Sequence, residues 1–442
     1  MNIIPYGRRA ALAGAVAGLA GVASPVAAQT GTAAPNRALP PRPAAAALVR
    51  GFSRERLARI GPVMQAEAER GSFPGAVTLI ARQGEVVHFE AHGQQDAART
   101  RPMPRDAIFL QASMTKPLTS TLAMMLVEEG RMKLDDPIAT HLPELRDLKV
   151  EVTRDGQTEQ VAPTRAPTVH DLLRHTAGFV YSAASPSPRI RELYDEGNIE
   201  ARDAAITGDE MLRRLGTIPL AFQPGTTFFY SIGVDVLGLV VERVSGKRLD
   251  RFLEERLLTP LGVRDTQWFV PPDKRTRIAE APDSDPLKQS MWRSYRILQD
   301  ERETSYLKGG AGLVSTAADY LRFAQMIASN GVHEGRRYLA APVVNFMLSN
   351  HTLGMAGSPT ASTGPGYGFG LGFAVRSQDG MGTTPGSAGD AMWAGAWGTS
   401  FTIDRAEGLV AILMAQGPSN RGRTRMIFKD LVYAAMVESI RR

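Results

Sequence analysis

Hydrophobic and polar positions change their period along the chain, and the changes mark the elements. Residues 53–70 carry a short helical pattern. Gly75 to Ala81 and Glu85 to Glu90 are two β-rich runs around Arg82-Gln83-Gly84, which predicts a hairpin. A second pair lies near the other end, where Gly398 to Ile403 and Gly408 to Met414 flank the turn Asp404 to Glu407, and residues 424–440 then resume a helical period. Between the two hairpins the pattern is mostly helix and loop. Strands at both ends with a long helical insert predict an α/β (α+β) architecture, in which one antiparallel sheet built from both termini is flanked by helices and a mainly helical lobe folds against it. The sheet lobe is expected over about 51–130 and 310–442 and the helical lobe over about 131–309.

The first residues read differently. Arg8 and Arg9 precede an apolar stretch of small residues, Ala10 to Ala23, and Val26-Ala27-Ala28 fits a signal cleavage site, so residues 1–28 are expected to be a signal peptide. The apolar stretch falls short of the roughly 20 residues that span a bilayer, which favours export with cleavage over a membrane anchor. The arginine pair fits either the twin-arginine route or an ordinary basic leader. Residues 29–50, with Pro35, Pro40, Pro41 and Pro43, are expected to be a flexible leader to a folded domain over 51–442. The expected location is the periplasm, or outside the cell.

Composition narrows the chemistry. Among 442 residues, 43% are hydrophobic and 22% charged, ordinary usage for a globular chain. The 51 Lys and Arg exceed the 45 Asp and Glu by only six, and they are scattered, so charge does not suggest nucleic acid. There is no cysteine, which excludes disulfides, Cys-ligated metals and thiol nucleophiles. An acyl-accepting nucleophile must be an oxygen or an amine.

The central candidate is Ser113-Met114-Thr115-Lys116. A helix starting here places Ser113 and Lys116 about one turn apart, and an amine beside a hydroxyl can take its proton. Leu118, Leu122, Leu126 and Val127 predict a buried helix, and Pro117 is compatible only with its first turn. Ser113 then sits at the helix N-terminus, where its own amide is a candidate oxyanion donor. Taken alone, Ser-x-x-Lys arises by chance in most chains of this length. Tyr230, after the turn Gln223-Pro224-Gly225 and before a helix running to about Ser245, is the second candidate. A phenol, with an ordinary pKa of about 10, becomes a base near neutrality only beside a cation. The bland alternative is a core aromatic with its hydroxyl satisfied. The third candidate is Trp393-Ala394-Gly395-Ala396-Trp397-Gly398, where small residues let a ligand approach a strand closely.

In this order the three motifs resemble the serine β-lactamase and penicillin-binding-protein superfamily, in particular its class C-like branch with the family VIII carboxylesterases. Leu172 to Gly178 looks like that branch's Leu-Leu-x-His-Thr-Ser-Gly segment, and Gly309 to Asp319 like its Gly-rich loop and following helix start. The likeness runs over roughly residues 55–440 and implies a β-lactamase/transpeptidase-like fold. It also implies an acyl-enzyme on Ser113, with Lys116 and Tyr230 exchanging the proton and the amides of Ser113 and Ala396 forming the oxyanion hole. Either Lys116 or Tyr230 can be the first base. Two departures matter. Ile232 stands where a lactamase-like Tyr-x-Asn has its amide, and Trp393-Ala394-Gly395 replaces Lys-Thr-Gly, resembling the Trp-Gly-Gly of family VIII esterases. Both losses remove recognition of an anionic lactam and favour small to medium neutral esters. Tyr181, Ile232, Trp393, Ala394 and Gly395 are the expected substrate-binding residues.

The remaining possibilities are a β-lactamase, a D-amino acid amidase or peptidase, or an acyltransferase using the same acyl-enzyme, and a non-catalytic ligand-binding relative. The seven histidines include no H-E-x-x-H and no H-x-H, so zinc hydrolysis has no support, and no metal or organic cofactor is expected. His175 is expected to be structural. No G-x-S-x-G is present, which removes the α/β-hydrolase elbow. The expected partner is a small-molecule ester, with no nucleic acid and no membrane span after signal removal; monomer and homo-oligomer stay equally open.

Overall fold

Gln83 and Gly84 both adopt left-handed backbone, with φ of 51° and 84°, the two-residue turn that matches the twist of an antiparallel pair. In the computed structural model, which describes residues 47–201, 205–288, 305–357, 359 and 363–441, this turn joins β1 (Gly75–Arg82) to β2 (Glu85–Gly93). The predicted signal peptide and most of the leader lie outside the described residues. The end of the expected leader is ordered, since Leu48–Val49 pairs with Phe52–Ser53.

Five further strands come from the other end of the chain: β3 (Tyr367–Phe369), β4 (Ala374–Arg376), β5 (Ala391–Ala394), β6 (Ser400–Asp404) and β7 (Leu409–Ala415). They form one antiparallel sheet in the order β3-β4-β5-β6-β7-β1-β2, so β7 pairs with β1 and the two chain ends meet within it. Both strands are buried on both faces, which is why their sequences are nearly continuous apolar runs rather than alternations.

The helices that matter for the site are α1 (Ile60–Glu69), α2 (Thr115–Glu128), α3 (Val169–Leu173), α4 (Gly233–Ser245), α5 (Ala317–Ala328) and α6 (Arg421–Ala435). One face of the sheet, with Val77, Leu79, Val410 and Ile412, packs in the main core with Leu118, Leu122 and Leu126 of α2. The other face, with Ala76, Ile80, Leu409 and Leu413, packs on Ile60 and Met64 of α1 and on Phe428 and Val432 of α6. In the helical lobe α4 packs against α2 and α3. No helix among the described residues is long and apolar enough to cross a membrane.

Three local expectations are corrected. The 53–70 pattern is two helices, Arg54–Leu57 and α1, interrupted at Ala58 and Arg59. The last helix spans 421–435 rather than 424–440. The helical insert also contains a hairpin, Val150–Arg154 with Gln157–Val161, around Asp155-Gly156 in left-handed backbone. Its strands are mostly exposed and polar, so hydrophobic periodicity does not mark them, although Asp-Gly is itself a hairpin signal.

Candidate active site

Phe109–Leu110 pairs with Val314–Ser315, and the chain then turns sharply into α2. Ala112 makes the turn with a φ of 44°, costly for alanine, and Ala112–Met114 forms a single 3-10 turn ahead of the helix. Ser113 therefore immediately precedes the N-cap Met114, and Pro117 lies in the first turn as its missing N–H requires. Two contacts pin this end: the Tyr320 hydroxyl donates to Met114 O at 3.0 Å, and Leu313 N donates to Thr115 Oγ1 at 3.0 Å.

Lys116 is fully buried, and its ammonium has three acceptors. Nζ donates to Gly310 O at 2.7 Å, to the Tyr181 hydroxyl at 2.9 Å and, more weakly, to Ser113 Oγ at 3.4 Å. Three acceptors match the three protons of –NH3+. The same Nζ lies 4.7 Å from the centre of the Tyr230 ring. The Tyr230 hydroxyl is 2.7 Å from Ser113 Oγ, so the serine oxygen is shared between phenol and amine.

Tyr230 is held by the segment leading into α4. Phe229 N donates to His175 O at 2.9 Å, and Ser231 N donates to His175 Nδ1 at 3.3 Å. The His175 ring lies 4.7 Å from that of Tyr230, Tyr181 lies 5.6 Å away, and Trp393 5.3 Å. Complete burial, with the Lys116 charge adding to it, pushes the His175 pKa well below its ordinary value. His175 is thus a neutral aromatic wall, and its Nε2 has no hydrogen-bond partner among the described residues.

The third motif closes the site. β5 pairs with β4 only through Ala391 and Met392, so Trp393 and Ala394 run past the end of β4 while still pairing with Phe401 and Ser400 of β6. Gly395 N donates to Thr399 O and Gly398 N to Gly395 O, a tight turn that lies on Gln111. A Cβ on Gly395 would sit 2.2 Å from Gln111 O, so only glycine allows this approach. Ala396 packs with Trp397 against Ala112, the residue before Ser113.

The sequence model of the family described as Beta-lactamase matches residues 60–434. The chain belongs to the Beta-lactamase family. Within it, the chain is 32% identical to esterase EstB of Burkholderia gladioli over 396 residues, covering 85% of this chain and 95% of EstB. It is 30% identical to a lovastatin esterase of Penicillium rubens, over 60% of this chain and 67% of that one. The solved structure of EstCE1, a hydrolase with promiscuous acyltransferase activity, superposes with a TM-score of 0.71 at 27% identity, covering 86% of this chain and 99% of EstCE1.

In this Beta-lactamase-family chain, Ser113, Lys116, Tyr230 and Tyr181 come together in one hydrogen-bonded cluster. Trp393 lies behind it, stacked on Tyr230 and Phe369 and only 4% exposed. Ile232 is not in that cluster: it is 2% exposed, its amide donates to Val180 O, and its side chain joins the main core. Ala394 and Ala396 are half-buried and Gly395 is buried.

Two residues absent from the sequence-based site sit beside it. Asp235, buried in the first turn of α4, accepts from Gly310 N at 3.2 Å, and burial raises its pKa against the pull of Lys116 and Lys308. It lies five residues after Tyr230, in the helix expected to run to about Ser245. Arg425 of α6 donates to Gly395 O, and burial pushes its pKa down to about 9. Nothing in the local sequence marks it among the neighbouring arginines.

Proposed function

We propose that the protein is a serine carboxylesterase that hydrolyses small to medium neutral esters through an acyl-enzyme on Ser113. The observation that carries this reading is the shared hydrogen bonding of Ser113 Oγ with the Tyr230 hydroxyl and Lys116 Nζ, in a chain of which 85% aligns with 95% of EstB.

With Tyr230 in its phenolate form, Ser113 Oγ attacks the ester carbonyl carbon and gives its proton to the Tyr230 oxygen, 2.7 Å away. The Lys116 ammonium beside the ring stabilises the negative charge on the phenol oxygen. Tyr230 then passes the proton to the leaving alcohol oxygen, the C–O bond breaks, and the acyl group stays on Ser113. Water, deprotonated by the same pair, attacks the acyl carbon and releases the acid and free Ser113. The amides of Ser113 and Ala396 serve as oxyanion donors. The polypeptide supplies the nucleophile, the base and the oxyanion donors in this sequence of steps, and the partner is a small-molecule ester.

Preference for esters over β-lactams follows from the apolar indole of Trp393, which offers no charge to a substrate carboxylate. Arg425 is committed to the Gly395 carbonyl. Half-buried Ala394 and Tyr181 would line the acyl site, with Trp393, Gly395 and Ile232 backing it from the core. The Arg8-Arg9 leader and Val26-Ala27-Ala28 support export to the periplasm or beyond.

The test is turnover of p-nitrophenyl butyrate and of nitrocefin, with mass spectrometry of the protein during each reaction and Ser113→Ala as control. Ester turnover with an acyl adduct on Ser113, lost in Ser113→Ala, is expected, with little nitrocefin cleavage. Unchanged ester turnover in Ser113→Ala would sink the site, and efficient nitrocefin hydrolysis would sink the exclusion of lactams.

A further inference from the structure

His88, Glu90 and His92 alternate along β2 and so project from one face of the strand. Their cross-strand neighbour is Thr78, paired with Glu90 and flanked by Ala76 and Ile80. Ala76 and Ile80 pack on α1 and α6, whereas Val77 and Leu79 pack toward α2, so this group lies on the sheet face opposite the catalytic helix.

In that otherwise apolar layer the two imidazoles are buried and converge. Nε2 of each lies 2.8 Å from Thr78 Oγ1, and the rings stack with centres 6.5 Å apart. Glu90 Oε1 is 3.8 Å from His88 Nδ1. One ligand atom from each of the three residues lies within 4.8 Å of the others. Gly61, in the first turn of α1, keeps the space above them: a Cβ there would come within 3.2 Å of Glu90 Oε2 and 3.9 Å of His92 Cε1. A threonine hydroxyl carries one proton, so it donates to one ring and accepts from the other, and the two bonds aim both Nε2 atoms at one point. Burial pushes both imidazoles down to about 4, with His92 and Arg105 adding to the effect at His88, and leaves the neutral form that binds metals.

We propose that His88, Glu90 and His92 form a site for a zinc-class divalent ion that ties the edge strand β2 against β1 beneath α1. Two imidazole nitrogens and a carboxylate suit zinc and its first-row neighbours rather than magnesium or calcium, which take oxygen ligands. Zinc bonds of about 2.0–2.1 Å place tetrahedral ligands about 3.4 Å apart, so side-chain rotation of roughly an ångström closes the set. Thr78 Oγ1 or water takes the fourth position. H-E-x-x-H and H-x-H searches overlook such a set, because on a strand the second and fourth neighbours share a face. An ion here would stabilise an edge strand in a chain that has no cysteine for a disulfide.

The experiment is titration of the EDTA-stripped, dialysed protein with ZnCl2, read by calorimetry and by thermal unfolding, and with CoCl2, read by visible absorption. Saturation at one equivalent, a melting temperature raised by several degrees and the strong visible bands of tetrahedral Co2+ are expected, all lost in His88→Asn/His92→Asn. Should that double variant fail to fold, Glu90→Gln, whose side chain is 44% exposed, keeps the test open: it should retain the metal-free melting temperature and bind zinc at least about tenfold more weakly. Absence of one-equivalent binding, or equal binding by these variants, would overturn the proposal.

Discussion

Gly310 has no room for a side chain. A Cβ there would lie 2.5 Å from Asp235 Oδ2 and 3.2 Å from Lys116 Nζ, while Gly310 O accepts the shortest of the lysine's hydrogen bonds. A displacement of about 1 Å in a reacting group costs on the order of a hundredfold in rate. Gly310→Ala is accordingly expected to lower kcat for p-nitrophenyl butyrate by about that factor while leaving KM within about threefold, because it moves the ammonium rather than the ester pocket. Steady-state kinetics checks this, with far-UV circular dichroism to show the fold retained. At this scale Ser113, Lys116 and Tyr230 are legible in the sequence as a group, because three motifs in one order carry a resemblance that none carries alone. Asp235 and Arg425 are not, since a buried carboxylate and a helix arginine gain meaning only from what they face.

Among the elements, α3 is only five residues long, too short to be stable by itself, and it carries His175 toward Tyr230. Its capping box supplies the missing stability. Asp171, fully buried, accepts from Thr168 N at 3.0 Å, from both Nη atoms of Arg165 at 2.6 and 2.9 Å, and from Thr176 Oγ1 at 2.7 Å. Burial raises its pKa, but Arg165, Thr176 and the Thr168 amide outweigh burial and bring it down to about 2. The folded state thus holds the ionised form more strongly than the unfolded chain does. This contribution is complete above the ordinary carboxyl pKa of about 3.9 and is lost as pH falls through about 2. Asp171→Ala leaves Arg165 and Thr176 without this acceptor and should cost about 3 kcal/mol, read as a lower urea midpoint at pH 7. Element boundaries were legible where the period was strong, as in α2, α4 and the two hairpins. The short strands β3 and β4 were not, because three residues among glycines carry no period.

For the whole molecule, Arg82 is the knot between distant parts of the chain. Its side chain is 1% exposed and donates to Glu407 Oε2 at 2.8 Å, Glu407 O at 2.9 Å, Arg50 O at 3.0 Å and Glu438 O at 2.7 Å. It therefore joins Arg50, the β1–β2 turn, the β6–β7 turn and the segment after α6. Arg82→Ala strands the buried Glu407 carboxylate and should cost about 3–5 kcal/mol. Chemical unfolding checks the loss, and Arg82→Met should recover part of it by refilling the volume. The sheet explains why one residue matters so widely: β7 and β1 are adjacent interior strands separated by most of the chain.

The sequence by itself singled out Ser113, Lys116 and Tyr230 as one group, the two hairpins and the meeting of both ends in one sheet. These depend on residue type, local spacing and hydrophobic period, which are properties of short segments. Only the tertiary structure decided that Ile232 is core rather than pocket, that Arg425 reaches Gly395, and that His88, Glu90 and His92 converge on Thr78. Those outcomes depend on which faces of remote elements pack together, and burial and electrostatic environment are set by that packing rather than by any local pattern.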